Sequence, residues 1–303
     1  MTSKAFGLAQ LGNAYADGAL SNRNKIINGG FDVWQRGTSF TPNPVIFGAD
    51  RFAAYKGVAS AGDYARSTDV PAGQGFTYSG YFNAADIRHS VELPATGERG
   101  VFVDGSQWTL SFWVKAGASG TSTANLGWAN GVSASSLTYW GADQSYSYST
   151  SWEKKTITFT VSGSITGSHA AVLLYMSAVS GGLYITGVQL EAGDTATPFE
   201  HRSFGQELAL CQRYLQYSLY YFEYAMGTVG NLAGPVVSLP VSMRASPTFT
   251  QISTNGAYTT INGPSVIDAS VGGVGPHSYY VGYASASTGY GYRTITYSLS
   301  AEL

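Results

Sequence analysis

The stretch Leu110-Ser111-Phe112-Trp113-Val114-Lys115 alternates, with Leu110, Phe112 and Val114 pointing one way and Ser111, Trp113 and Lys115 the other. A period of two is the pattern of a strand with one buried face. The run from Trp152 to Val161 repeats it, with Ile157, Phe159 and Val161 on one face and Thr156, Thr158 and Thr160 on the other. Ala170 to Met176 is apolar on both faces and reads as an interior strand, and Leu183 to Leu190 as another, with Gly187 placed for a bulge. Outward from these runs, short strands bounded by Gly and Ser turns predict a two-sheet β-sandwich whose period-two pattern starts at Lys25.

Composition agrees with an all-β chain. Charged residues are 11% of the 303, against about 25% in an average soluble domain, while the chain has 38 Gly and 22 Tyr. These are residues of strands and tight turns. A net charge of −2 with no basic block predicts no nucleic-acid partner. No run of 18 apolar residues and no apolar leader occur, so neither membrane insertion nor standard secretion is expected. The lone Cys211 excludes an intrachain disulfide and reads as a small buried hydrophobe.

Past the sandwich, Ser203 and Gln206 have the spacing of a capping box, with Leu208, Cys211 and Leu215 on one helical face. Residues 1–24 read as an N-terminal arm, 25–202 as the sandwich, 203–217 as a linking helix and 218–303 as a smaller β domain. In the last, strands are expected near 236–242, 247–252, 278–284 and 292–299.

Three motifs resemble a tail-fibre or structural-protein family of bacteriophages and prophages. They are the run from Ile26 to Gly37 (IINGGFDVWQRG), Ala49-Asp50-Arg51-Phe52, and the run from Val188 to Arg202 (VQLEAGDTATPFEHR). The runs from Glu207 to Tyr214 and Ala301-Glu302-Leu303 are similar to that family's downstream signature. The stretches around Phe112, Phe159 and Leu190 are similar to strands of jelly-roll carbohydrate-binding modules. The resemblance implies a jelly roll in a virion appendage, made in the host cytoplasm, docked to other virion proteins through the arm and assembled as a homotrimer. In such modules an acid after the first strand and an aspartate in the last often hold a structural calcium; Asp32 matches the first position, but Thr186 stands at the second. No cofactor is expected.

The sequence carries no Gly-x-Ser-x-Gly elbow, phosphate loop, Cys-x-x-Cys or His-Glu-x-x-His. His89, His169, His201 and His277 are scattered singly, and Glu92, Glu98 and Asp104 fall in a loop-like segment. The reading is therefore non-enzymatic. Candidate sugar contacts are Trp113, on the polar face of its strand, and Trp128, Tyr139, Trp140, Tyr146 and Tyr148, in an aromatic Gly- and Ser-rich stretch suited to a surface loop. Packing in the core or at a subunit interface is the alternative for each. Asp50, Arg51 and Arg36 read as a structural ion-pair group. Three functional classes follow: a tail fibre contacting host surface glycans, a purely structural head fibre, decoration or adaptor protein, and a glycan-degrading enzyme.

Overall fold

The computed structural model describes residues 23–56, 62–92, 102–129, 138–140, 142–163, 171–177, 179, 181–226, 230–259, 266–272, 278–285 and 289–302. The expected arm at 1–24 lies outside the described residues except for Arg23 and Asn24. Two compact units are present, Met1–Glu207 with Leu303, and Leu208–Glu302.

The first unit is a jelly-roll β-sandwich. One antiparallel sheet has the order β1 (Ser39–Phe40), β4 (Tyr64–Ser67), β5 (Ser79–Phe82), β13 (Leu183–Ala192), β7 (Gln107–Ala116) and β11 (Glu153–Thr160). The other has the order β10 (Gln144–Tyr148), β8 (Gly120–Ala129), β12 (Ala171–Met176), β6 (Asp86–Glu92), β3 (Phe52–Tyr55) and β2 (Val45–Phe47), with β9 (Thr138–Tyr139) beside β8. Successive long strands alternate between the sheets, so each inward row meets the other across one core. From β7 come Trp108, Leu110, Phe112 and Val114, from β11 Ile157 and Phe159, and from β6 Ile87 and Val91, all buried. Aromatic pairs fill the middle: Phe31 stacks on Phe52 at 4.3 Å, Tyr64 on Phe82 at 4.3 Å and Phe102 on Trp108 at 4.0 Å. Burying such rings beside the aliphatic side chains supplies hydrophobic driving force for this fold.

The period-two pattern expected from Lys25 is not a strand. Residues 25–38 run as turns and irregular chain, because Asn28 and Phe31 take positive φ values of 62° and 58°. The Asn28 side chain replaces a ladder, donating to the carbonyls of Val33 (2.8 Å) and Asp50 (2.9 Å) and accepting from Val33 N–H (2.9 Å). Asp50 lies 3.7 Å from Arg36, whereas Arg51, fully buried, donates to the Ser90 carbonyl (2.7 Å) and hydroxyl (2.8 Å). His89 is a core residue: burial, then the Arg51 charge, holds its pKa well below the usual histidine value, and it bonds the Ile27 carbonyl at 3.0 Å.

Helix α1 (Phe204–Gln212) opens on the expected capping box, with Ser203 N–H donating to Gln206 Oε1 (3.1 Å) and Gln206 N–H to Ser203 Oγ (3.4 Å). It is shorter than the 203–217 read from the sequence. Leu215 instead opens strand β14, because Tyr214 N–H turns back to the Cys211 carbonyl (2.9 Å) and an aromatic β-prone run follows. Cys211 is buried.

In the second unit β14 (Leu215–Met226), β19 (Gly289–Ser300) and β16 (Thr248–Thr259) form one antiparallel sheet. A second comprises β15 (Gly230–Ser238), β18 (Ser278–Ser285) and β17 (Val266–Gly272), the last of which the sequence reading did not include. Among the described residues, no helix is long and apolar enough to cross a membrane.

Candidate functional site

The outward faces of the two sheets carry different side chains. On the seven-stranded sheet, Tyr55 of β3, Arg88 of β6, Tyr175 of β12 and Tyr139 of β9 form a row across the strands. Register builds it: Arg88 pairs with Tyr175 and Ala53, Tyr175 with Asn125 of β8, and Tyr139 with the bare Gly127. The Arg88 guanidinium lies 4.3 Å from the Tyr55 ring centre, 5.7 Å from that of Tyr175 and 3.9 Å from the Asp86 carboxylate. Tyr139 and Tyr175 are 6.1 Å apart, and Asn125 donates to Asp143 at 2.8 Å.

The tyrosines are the part of this row most open to solvent. Tyr139 is 38% and Tyr55 36% exposed, while Arg88 is buried beneath them. Burial, then the nearby Asp86 charge, pushes the Tyr175 phenol up to about 12. Tyr139 is also raised, by burial and by Asp143. Both therefore stay neutral hydroxyls at physiological pH, able to donate as well as accept. Aromatic rings with Asp86 and Asp143 beside them can stack on the apolar side of a sugar ring and accept hydrogen bonds from hydroxyls at its edge.

On the six-stranded sheet a groove of about 410 Å³ is lined by Gln74, Phe76, Trp113, Lys154, Gly187, Ala196, Thr197, Pro198, Phe199 and His201. Its floor is the β13 bulge, where register with β7 shifts between Thr186 and Gln189 and Gly187 has φ of 63°. One wall is residues 196–201, folded back over the sheet and tethered by two outward side chains of β13. Glu191 accepts from Thr197 N–H (2.9 Å) and hydroxyl (2.6 Å), and Gln189 accepts from Glu200 N–H (2.8 Å). Phe76 meets Phe199 at 5.0 Å and His201 at 5.1 Å.

The expected site residues separate accordingly. Trp113 is half-buried and lines the groove, and Tyr139 belongs to the row. Trp140 and Tyr146 correct the surface-loop expectation, since each is only 5% exposed and part of the core. Trp140 packs 5.5 Å from Phe102 and Tyr146 edge-on to Phe112 at 5.1 Å, and burial pushes the Tyr146 phenol up to about 12. Tyr148 is half-buried against the same cluster. The reason is that 138–148 is not one loop: β9 and β10 extend the sheet, so alternate side chains turn inward. Trp128 pairs with Val172 and Thr138 in β8, and its side chain lies outside the described residues. His169, His277 and Glu98 also lie outside them. Tyr55, Arg88, Tyr175, Phe76 and Phe199 were not foreseen; of these, only Arg88 left a signal, as an outward position alternating with Ile87 and His89.

The surroundings of Asp32 do not fit a calcium ion. Burial raises its carboxyl above the usual aspartate value, with the His201 charge acting against the rise. The Thr186 hydroxyl donates to the Tyr78 carbonyl (2.9 Å) and sits 3.4 Å from that of Gly30, a neutral side chain where a second carboxylate is needed. Calcium takes six to eight oxygens, and the described residues hold no group of three His, Cys, Asp or Glu able to bind a metal.

No family model and no curated protein matches the chain. Among solved structures it is similar to the CBM22-2 xylan-binding domain from Paenibacillus barcinonensis, with 13% identity over 55% of this chain and 98% of that one, TM-score 0.33. A C-terminal family 22 carbohydrate binding module of Clostridium thermocellum matches with 10% identity over 52% and 98% of the two chains, TM-score 0.36. The enzymatically active domain of tailspike protein 4 from bacteriophage CBA120 matches with 14% identity over 56% of this chain and 22% of that one, TM-score 0.34.

Proposed function

We propose that this chain is a non-enzymatic glycan-binding protein of a bacteriophage particle, a tail fibre that touches host surface sugars through the row Tyr55–Arg88–Tyr175–Tyr139. The observation that carries the sugar-binding part is that row: tyrosine rings packed around a buried arginine, with Asp86 and Asp143 beside them as acceptors. A flat, open row engages few atoms of a ligand, so each copy binds weakly, in the roughly millimolar range, or about −4 kcal/mol. A homotrimer presents three such rows and converts weak contacts into avidity. The virion placement draws on the family-like motifs, and the non-enzymatic reading on the absence of catalytic motifs from the sequence.

The test is a glycan array probed with the full chain and with Tyr139→Ala. The chain should retain a subset of glycans, release no cleavage product from them over hours, and lose them in the variant. Retention unchanged by Tyr139→Ala removes the row from the reading, and product release makes the protein a glycan-degrading enzyme. Light scattering should give three times 32.0 kDa. Antibody-labelled electron microscopy of particles separates a tail position from a head fibre, decoration or adaptor.

A further inference from the structure

We propose that the groove over Gly187 is a second saccharide site, independent of the tyrosine row, that takes a pyranose bearing a ring carboxylate, a hexuronate. The groove is built rather than incidental. A Cβ at Gly187 would stand 2.6 Å from Phe76 Cζ and 3.1 Å from Trp113 Cδ1, so the bare glycine lets both rings lie close over the backbone. The far wall is fixed by the bonds from Thr197 and Glu200 to Glu191 and Gln189, which leaves little ordering for a ligand to impose. Its volume of about 410 Å³ lies toward the lower end of ligand pockets, sized for a short saccharide rather than a long chain.

Charge gives the ligand class. The groove's two ionisable lining residues are both basic, Lys154 and His201, and no carboxylate lines it, in a protein whose net charge is −2. Lys154 is placed by register, directly opposite Trp113 on β11, and its ammonium bonds the Thr197 carbonyl at 3.2 Å, across to the wall. The imidazole of His201 on the other wall lies near Asp32, so the charge that decides is Lys154: a pyranose laid on the Trp113 ring has that cation beside it, an arrangement that favours a ring-borne carboxylate over a neutral hydroxymethyl. Because Lys154 is exposed, the preference is modest, about fivefold at most.

The test titrates the full chain with methyl β-D-glucuronide and with methyl β-D-glucoside, which differ in that carboxylate alone, following chemical shifts. The expected result is tighter binding of the glucuronide by about threefold to fivefold. Lys154→Gln, at an exposed position, should equalise the two ligands. Trp113→Ala should weaken both by tenfold or more, with circular dichroism to verify its fold. Equal affinities in the wild-type protein, no binding of the glucuronide at about 50 mM, or a preference that survives Lys154→Gln each overturns the proposal. Loss of glucuronide binding in Tyr139→Ala with Trp113→Ala unaffected moves the ligand to the row and leaves the groove empty of function. On the array, glycans held through the groove stay bound in Tyr139→Ala and are lost in Trp113→Ala, so the row is read from the glycans that Tyr139→Ala alone releases.

Discussion

Tyr139 and Trp140 are neighbours in sequence on opposite sides of one sheet, and replacing each with alanine should have opposite consequences. Trp140 is 5% exposed, packed against Phe102, and truncating a buried tryptophan costs about 3–5 kcal/mol through lost burial and the cavity left behind. Against a typical total of about 5–15 kcal/mol, that is a large fraction. For a unit of this size, each kcal/mol shifts Tm by about 2–4 °C, so Trp140→Ala should melt about 6–20 °C lower. Tyr139, 38% exposed, should change stability by less than about 0.5 kcal/mol and instead weaken sugar binding about tenfold. Thermal unfolding by circular dichroism, paired with array retention at a temperature where both variants are folded, reads out the two effects. A Trp140→Ala protein that melts like the wild type and loses sugar would refute the assignment of inward and outward faces.

Gly187→Ala should cost about 1–3 kcal/mol, because φ of 63° disfavours a Cβ and the new atom meets Phe76, and it should also close the groove; an unchanged Tm by calorimetry would contradict this. Burial raises the Glu207 carboxyl above the usual glutamate value, against the hydrogen bond from Asn28 N–H and the Arg202 charge. The folded state therefore binds this proton more tightly than the unfolded one. Its contribution is most favourable below the ordinary value of about 4.3 and declines as pH rises through the folded value. Glu207→Gln should remove that decline, so the wild-type Tm should fall relative to the variant as pH is raised from about 4; a constant difference would count against it.

Where apolar and polar residues contrast sharply, the sequence is enough. Leu110, Phe112 and Val114 against Ser111, Trp113 and Lys115 mark β7, and Gly187 marks the bulge in β13. The 138–148 segment lacks that contrast, because Tyr139, Trp140, Tyr146 and Tyr148 are amphipathic, and an outward tyrosine reads like an inward one. Residues 25–38 mimic a strand while being held by the side chain of Asn28, a tertiary device with no local periodicity. The tyrosine row was out of reach for another reason: Tyr55, Arg88, Tyr175 and Tyr139 come together only through strand order. Phe76 and Phe199 reach the groove from loops, so no period announces them.

The clamp that Gln189 and Glu191 place on residues 197–200 decides where this scaffold can be rewritten. Both side chains point outward yet are buried, so β13 has no free side: its inward residues hold the core and its outward ones hold the wall. Its neighbour across β7, β11, is the reverse, with Thr156, Thr158 and Thr160 exposed on an edge strand. A library randomised on the outward positions of β11 and β9 can therefore change what the sandwich recognises while leaving its stability intact, whereas one that strays into β13 should return mostly unfolded clones.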